Sequence, residues 1–195
     1  MTIDAEFAAH LREILEPLRS PRLSPFLADW PATPASRTVA AASLPVLRWL
    51  PQIAGDAASV HPEIIDAVCR ASASLAWRQT YGADELEAAF LDNYGWTEIF
   101  GSAGPLSCRG MACGFLLLGP NTRYPRHHHP AEEMYLPLSG AAHWQQLDGI
   151  WRIRPVGAPI FHSADEPHAM QTSSQPLLAL YLWRGGKLDQ KARLG

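Results

Sequence analysis

A chain of 195 residues, 47% hydrophobic and 18% charged, is long enough for one well-cored domain and cramped for two independent ones. Its formal net charge of -3 supplies no basic field for a phosphate backbone, which excludes nucleic acid as a partner. No apolar run approaches the roughly 20 residues a spanning helix needs, and MTIDAEFAAHLREILEPLRS carries acids where a signal peptide has basic residues, so the expected location is the cytoplasm, away from the membrane.

The first half is helical in character. In DAEFAAHLREILEPL the apolar residues Phe7, Leu11, Ile14, Leu15 and Leu18 recur at helical spacing, and Pro17 fits a stop. From Ser20 to about Pro51, prolines 21, 25, 31, 34 and 45 forbid long regular elements and predict extended chain with short helical turns. HPEIIDAVCRASASLAW predicts a second amphipathic helix through Ile64, Ile65, Val68 and Leu75, with Pro62 in its first turn. DELEAAFLDNYG predicts a third, capped by Asp84 with Glu87 three residues on, repeating Leu86 and Phe90 and stopping near Gly95. Residues 1–95 thus form an expected N-terminal helical segment. It would serve as a lid, cover a barrel edge, or pair with another chain.

From Trp96 the texture changes to short apolar runs broken by glycine and proline. TEIFG, GMACGFLLLG, EEMYLPLSG, AHWQQL, WRIRPV, APIFH, HAMQT and LLALYLW have the spacing of an antiparallel sandwich or small barrel, and LDGIW is a hairpin turn signal. A compact β domain over 96–186 with a tail at 187–195 is expected. Cys69, Cys108 and Cys113 match no metal or redox spacing and are read as reduced, mostly buried thiols.

Chemistry concentrates in RYPRHHHPAEEMYLPLSG, Arg123 to Gly140. Along one strand, His127, His129, Glu133 and Tyr135 share a parity and therefore a face, while His128, Glu132 and Met134 look the other way. Two imidazoles at i and i+2, joined by a carboxylate if the strand bends at Pro130 and Ala131, suit a divalent ion such as Zn, Fe(II), Mn, Ni or Co.

The frame H-x-H-x-x-x-E followed by Gly140 resembles the first motif of the cupins, small double-stranded β-helix barrels. That resemblance implies a mainly β fold, with the metal held by His127, His129, Glu133 and a downstream histidine, His168 in DEPHAMQT or His162 in PIFH. Tyr124 just before the histidines, Tyr135 after the glutamate, and the surrounding NYGWTEIFG, HAMQ and LYLWRG look like the cupin-type dimethylsulfoniopropionate lyases of marine bacteria, especially the Q-type, DddQ-like enzymes. The likeness covers roughly residues 90–186. It implies cleavage of dimethylsulfoniopropionate, a small zwitterionic sulfonium carboxylate, into acrylate and dimethyl sulfide by β-elimination. The implied metal ligands are His129, Glu133, Tyr135 and His168 around one divalent ion (Zn, Fe(II) or Mn), with His127 lining the same pocket. Tyr124 would be the base. Trp183 in LYLWRG, with Tyr124 and Tyr135, would face the sulfonium, a soft cation without hydrogen-bond donors that aromatic faces attract.

Two other readings fit the same ligand set: a nonhaem iron dioxygenase, and a cupin that binds a small ligand without turnover. The tyrosines beside the motif favour acid-base work over oxygen activation. The pattern leaves the chain a monomer or a homodimer.

Overall fold

The computed structural model describes residues 3–195. Helix α1 (Ala5–Leu15) begins at Asp4, whose side chain accepts from the Phe7 N–H at 3.0 Å, a cap that contributes about 1 kcal/mol. Its apolar stripe is buried, and a 3-10 turn, Glu16–Leu18, ends it at Pro17. The proline-rich connector breaks into α2 (Ser24–Ala28), the short strand β1 (Ala35–Ser36), a 3-10 turn at Pro45–Trp49 and α3 (Leu50–Ala54), as its composition predicts. Helix α4 (Pro62–Ala71) has proline in its first turn and buries Ile64, Ile65 and Val68. It gives way to a 3-10 turn at Ser72–Ser74, after which Leu75 is extended.

The third expected helix is mostly absent. Only α5 (Ala88–Leu91) is helical, Asp84 does not cap it, and Gly95 lies inside a strand. A single turn has little stability of its own. Here the Gln79 side-chain amide donates to the carbonyls of Leu91 and Tyr94, pulling the chain out of helix and into the sheet.

The strands that follow are β2 (Tyr94–Gly101), β3 (Leu106–Ser107), β4 (Met111–Leu118), β5 (Arg123–His128), β6 (Glu132–Ser139), β7 (Ala142–Gln146), β8 (Arg152–Arg154), β9 (Ile160–His162), β10 (His168–Thr172), β11 (Leu177–Arg184) and β12 (Arg193–Leu194). They form a seven-stranded sheet in the order β1-β3-β2-β4-β11-β6-β9 and a five-stranded sheet in the order β12-β5-β10-β7-β8. The strand-to-strand pairings are antiparallel except β2 with β3. This is the expected mainly β architecture, a cupin double-stranded β-helix barrel with helices ahead of it.

Alternation within the large sheet explains its apolar texture. Phe115, Leu117, Met134, Leu136, Leu180 and Leu182 face outward into one core with the buried side chains of α1 and α4. Leu116, Leu118, Tyr135, Ala179 and Tyr181 face inward, into a second core with Tyr124, Trp144 and Met170. Both faces are covered, so β4 and β11 read as nearly continuous apolar runs. The helices therefore clad the outer face of one sheet, burying area at about 25 cal/mol per Å².

The expectation of a single strand through the histidines is corrected. Arg123 to Ser139 is two strands, β5 and β6, in different sheets, separated at His129 to Ala131. Pro130, which lacks a donor N–H, stands where the ladder stops. Gly140 closes the segment at φ +77°, where a Cβ would lie 2.0 Å from the Pro176 carbonyl oxygen, so only glycine fits. Cys113 is buried and Cys69 and Cys108 are partly exposed, all three as free thiols.

Candidate active site

Splitting the motif between sheets is what assembles the site. His168 on β10 pairs with His127 on β5, and Glu133 on β6 pairs with His162 on β9 and with Trp183 on β11. The two sheets thus bring imidazoles from one side and a carboxylate from the other. His129, between β5 and β6, is held by its own carbonyl, which accepts from the Asp165 N–H at 2.8 Å.

Three imidazoles are oriented by the same device. Nδ1 of His127 lies 2.8 Å from the Pro125 carbonyl, Nδ1 of His129 lies 3.0 Å from the Ala131 carbonyl, and Nδ1 of His168 lies 2.8 Å from the Glu166 carbonyl. A carbonyl can only accept, so each Nδ1 carries a proton, and in the neutral imidazole each Nε2 is left with a lone pair. Nε2 of His129 then faces Glu133 Oε2 at 3.0 Å, and Nε2 of His168 faces the same oxygen at 3.2 Å without hydrogen-bond geometry. Ligand atoms of His129, Glu133 and His168 all lie within 4.8 Å of one another, and all three residues are buried. Converging lone pairs in a dry site call for a shared cation or proton. The donor set of two imidazoles and a carboxylate fits a divalent metal.

Electrostatics agree with that geometry. Burial alone would push the Glu133 carboxyl up, but His129 and His168 outweigh it and hold it well below the usual carboxylate range. Burial opposes protonation of His129, and Glu133 reverses that and raises it. His127, buried and facing His168, is held neutral.

His162 and His168 stand side by side, their rings stacked at 3.9 Å and 14°. His162 is not in the converging group. Its Nδ1 lies 3.5 Å from Glu166 Oε1, and burial first, then His168, lowers its pKa to about 4. His128 points the other way, half-buried, 3.6 Å from Asp165.

A cavity of about 320 Å³ opens onto the group. Tyr124, His127, Glu133, Tyr135 and Trp183 all line it. The tail segment Leu188 to Ala192 forms part of its wall, and β12 ties that tail to β5. Tyr124 stacks on His127 with ring centres 4.0 Å apart at 10°, and its hydroxyl is 3.2 Å from that of Tyr94. Burial, then the phenols of Tyr94, Tyr81 and Tyr135, push the Tyr124 hydroxyl well above its ordinary pKa. Tyr135 is likewise raised, by burial and then by Glu133. Trp183 lies against the group as well as facing the cavity: its Nε1 donates to Glu133 Oε1 at 2.6 Å and its ring is 4.1 Å from that of His129.

Residues outside the motif also reach the cavity, among them Thr80, Tyr94, Trp96 and Glu98. Sequence reading gave none of them a role, although NYGWTEIFG, which holds Tyr94, Trp96 and Glu98, carries part of the resemblance. The only local signal was the aromatic pair Tyr94 and Trp96, equal in parity on β2.

The fold and the His-Glu-His group define a cupin barrel whose cavity is fit to hold a metal ion and a small ligand. The chain belongs to the dimethylsulfoniopropionate lyase family, whose model matches residues 24–179. It is 35% identical over 127 residues to the dimethylsulfoniopropionate lyase DddQ of Ruegeria pomeroyi, a match covering 65% of this chain and 63% of that relative. The crystal structure of the DMSP lyase DddQ from Ruegeria pomeroyi DSS-3 superposes with a TM-score of 0.84 at 29% identity, covering 97% of this chain and 94% of that one. A structure from the DMSP lyases RdDddP and RnDddQII superposes with a TM-score of 0.80 at 28% identity, covering 97% and 98%.

Proposed function

We propose that this protein is a metal-dependent lyase that cleaves dimethylsulfoniopropionate into acrylate and dimethyl sulfide. The observation that carries the reading is the placement of Tyr124 on one wall of the cavity that also presents Glu133, beside the converging lone pairs of His129 and His168. Family membership supplies the substrate class.

In this reading His129, Glu133 and His168, with Tyr135 as fourth ligand, hold one divalent ion (Zn, Fe(II) or Mn). When bound, it is a Lewis acid for the substrate carboxylate, which makes the neighbouring C–H more acidic. Tyr124, as phenolate, takes a proton from the carbon next to the carboxylate. The electron pair of that C–H bond forms the C=C bond of acrylate while the bond to sulfur breaks. Dimethyl sulfide departs neutral, taking the C–S pair, so no general acid is needed. The proton remains on Tyr124 until it passes to solvent.

A free phenol has a pKa near ~10, so Tyr124 needs positive charge and hydrogen-bond donors around its oxygen to act as base at neutral pH. The sulfonium end meets aromatic faces, which attract it without requiring a donor from it. Trp183, Tyr181, Trp96 and Tyr94 line the cavity and are available for that contact. His127, stacked on Tyr124, fixes the plane of the phenol ring.

The test is headspace detection of dimethyl sulfide from purified protein and dimethylsulfoniopropionate, before and after chelation and metal re-addition. Release that disappears with the metal and returns with it supports the reading. Undiminished release after complete chelation, or none with Zn, Fe(II), Mn, Co or Ni, overturns it.

A further inference from the structure

Tyr124 makes one side-chain hydrogen bond, the last contact of a chain that begins at an indole. Nε1 of Trp96 lies 3.1 Å from Thr80 Oγ1, Oγ1 lies 2.7 Å from the Tyr94 hydroxyl, and that hydroxyl lies 3.2 Å from the Tyr124 hydroxyl. An indole N–H can only donate, so Thr80 accepts from Trp96. Three hydroxyls share two contacts, so one proton always points elsewhere, that of Thr80 or that of Tyr124. A phenolate can only accept, so once Tyr124 is ionised the donors run from Trp96 to Thr80, from Thr80 to Tyr94 and from Tyr94 to Tyr124.

We infer that Trp96, Thr80 and Tyr94 form a one-way chain of hydrogen-bond donors ending on the Tyr124 oxygen, which makes Tyr94 a positioning residue for the base. This deepens the lyase reading and rests on it. With Tyr94 donating to one side of the phenolate oxygen, the cavity side of that oxygen is left to meet the substrate C–H. A donor already in place on an oxygen that becomes charged costs no reorganisation during the reaction.

The fold holds the chain at both ends. Thr80 and Trp96 come from segments locked together by paired backbone bonds between Arg78 and Trp96, at 2.7 and 2.9 Å. Gln79 adds its bond to the Tyr94 carbonyl at 2.9 Å. Tyr94 is fully packed, its ring stacked 4.8 Å from Phe90 and tilted against Tyr124 at 4.9 Å. Tyr81, the other phenol at this spot, stands edge-on to Tyr124 at 6.1 Å, and its buried hydroxyl has no hydrogen-bond partner of good geometry among the described residues.

Steady-state release of dimethyl sulfide would be measured for wild type, Tyr124→Phe, Tyr94→Phe, Thr80→Val and Thr80→Ser, each checked for metal content and melting temperature. A hydrogen bond to a charged oxygen corresponds to roughly a ten- to hundredfold effect, so Tyr94→Phe is expected to lower kcat by that factor with KM and metal content unchanged. Thr80→Val should show a smaller loss of the same kind, and Thr80→Ser, which keeps the hydroxyl, should restore it. A kcat for Tyr94→Phe within twofold of wild type, alongside an inactive Tyr124→Phe, overturns the donor chain and leaves the lyase reading standing. An active Tyr124→Phe overturns the base assignment itself.

A neutron structure of the resting protein reads the direction without any turnover. At a pH where Tyr124 is ionised, deuterium on the Tyr94 oxygen aimed at Tyr124 supports the chain even if another substrate is found; a Tyr94 deuterium aimed away from Tyr124 overturns it.

Discussion

Trp183 donates its indole N–H to Glu133 at 2.6 Å, across a register in which the two residues are direct partners on β11 and β6. The bond occupies Oε1 and leaves Oε2 as the oxygen that His129 and His168 face. Trp183 therefore orients a candidate metal ligand in addition to walling the cavity. Outer contacts of this kind are typically worth 10–100-fold in metal affinity.

It follows that Trp183→Phe, which keeps an aromatic face but deletes the donor, should weaken metal binding by about 10–100-fold. Competition with a chelator of known affinity checks this. An unchanged affinity would mean that Glu133 is held in place without the indole, and that the tryptophan serves the cavity alone.

The two histidines near the end of the barrel separate by substitution. Glu133→Ala and His168→Ala should each lose the ion and the activity together, because each removes one of the converging ligand atoms. His162→Gln should keep the ion, since His162 stacks on His168 but does not join the group. Elemental analysis of the purified variants decides it: full occupancy in Glu133→Ala and His168→Ala, or an empty His162→Gln, would refute this ligand set.

Much of this was legible in the chain because it is local. Short apolar runs broken by glycine and proline marked the barrel strands, the frame of His127, His129 and Glu133 marked the candidate cation site, and prolines marked the connector. The parity argument brought His129 and Glu133 together for an incomplete reason: they meet because β5 and β6 diverge into facing sheets, which a count along one strand does not contain. DNYG looked like a helix stop, yet Tyr94 is a strand residue reaching Tyr124, since Gln79, distant in sequence, captures the carbonyls on either side of the turn. The link from Thr80 to Trp96 is likewise a pairing between segments, with no trace in either one's composition. Trp183 was read as a sulfonium contact; its bond to Glu133 depends on a register that only the assembled sheet provides.

Tyr124→Phe removes one oxygen from a packed ring and leaves its stack on His127 possible. The ion should stay bound, while kcat falls by at least about 100-fold, the lower range of general-base contributions. Metal content and dimethyl sulfide release measured on the same preparation test both halves. Turnover near that of wild type would assign the proton transfer to another group.

Glu98 offers a pH dependence that does not involve the metal group. It is 7% exposed, and its Oε1 accepts the Ala103 N–H at 2.5 Å and the Gly104 N–H at 2.7 Å, holding the turn after β2. Burial raises its pKa, and the two N–H bonds with Arg37 and Arg78 only partly offset that. A carboxyl raised on folding contributes its full stability below the unfolded value of about 4.3 and loses it as pH climbs through the folded value. At neutral pH the wild type thus carries a buried charge that Glu98→Gln does not, while the amide oxygen can keep both backbone bonds. The variant and wild type should melt together near pH 4, and at pH 8 the variant should melt higher by roughly 2–4 °C, the shift that about 1 kcal/mol produces in a chain of this size. Thermal melts across that range would show it. A difference independent of pH, or a variant less stable at pH 8 than at pH 4 relative to wild type, would mean that Arg37 and Arg78 already compensate the charge.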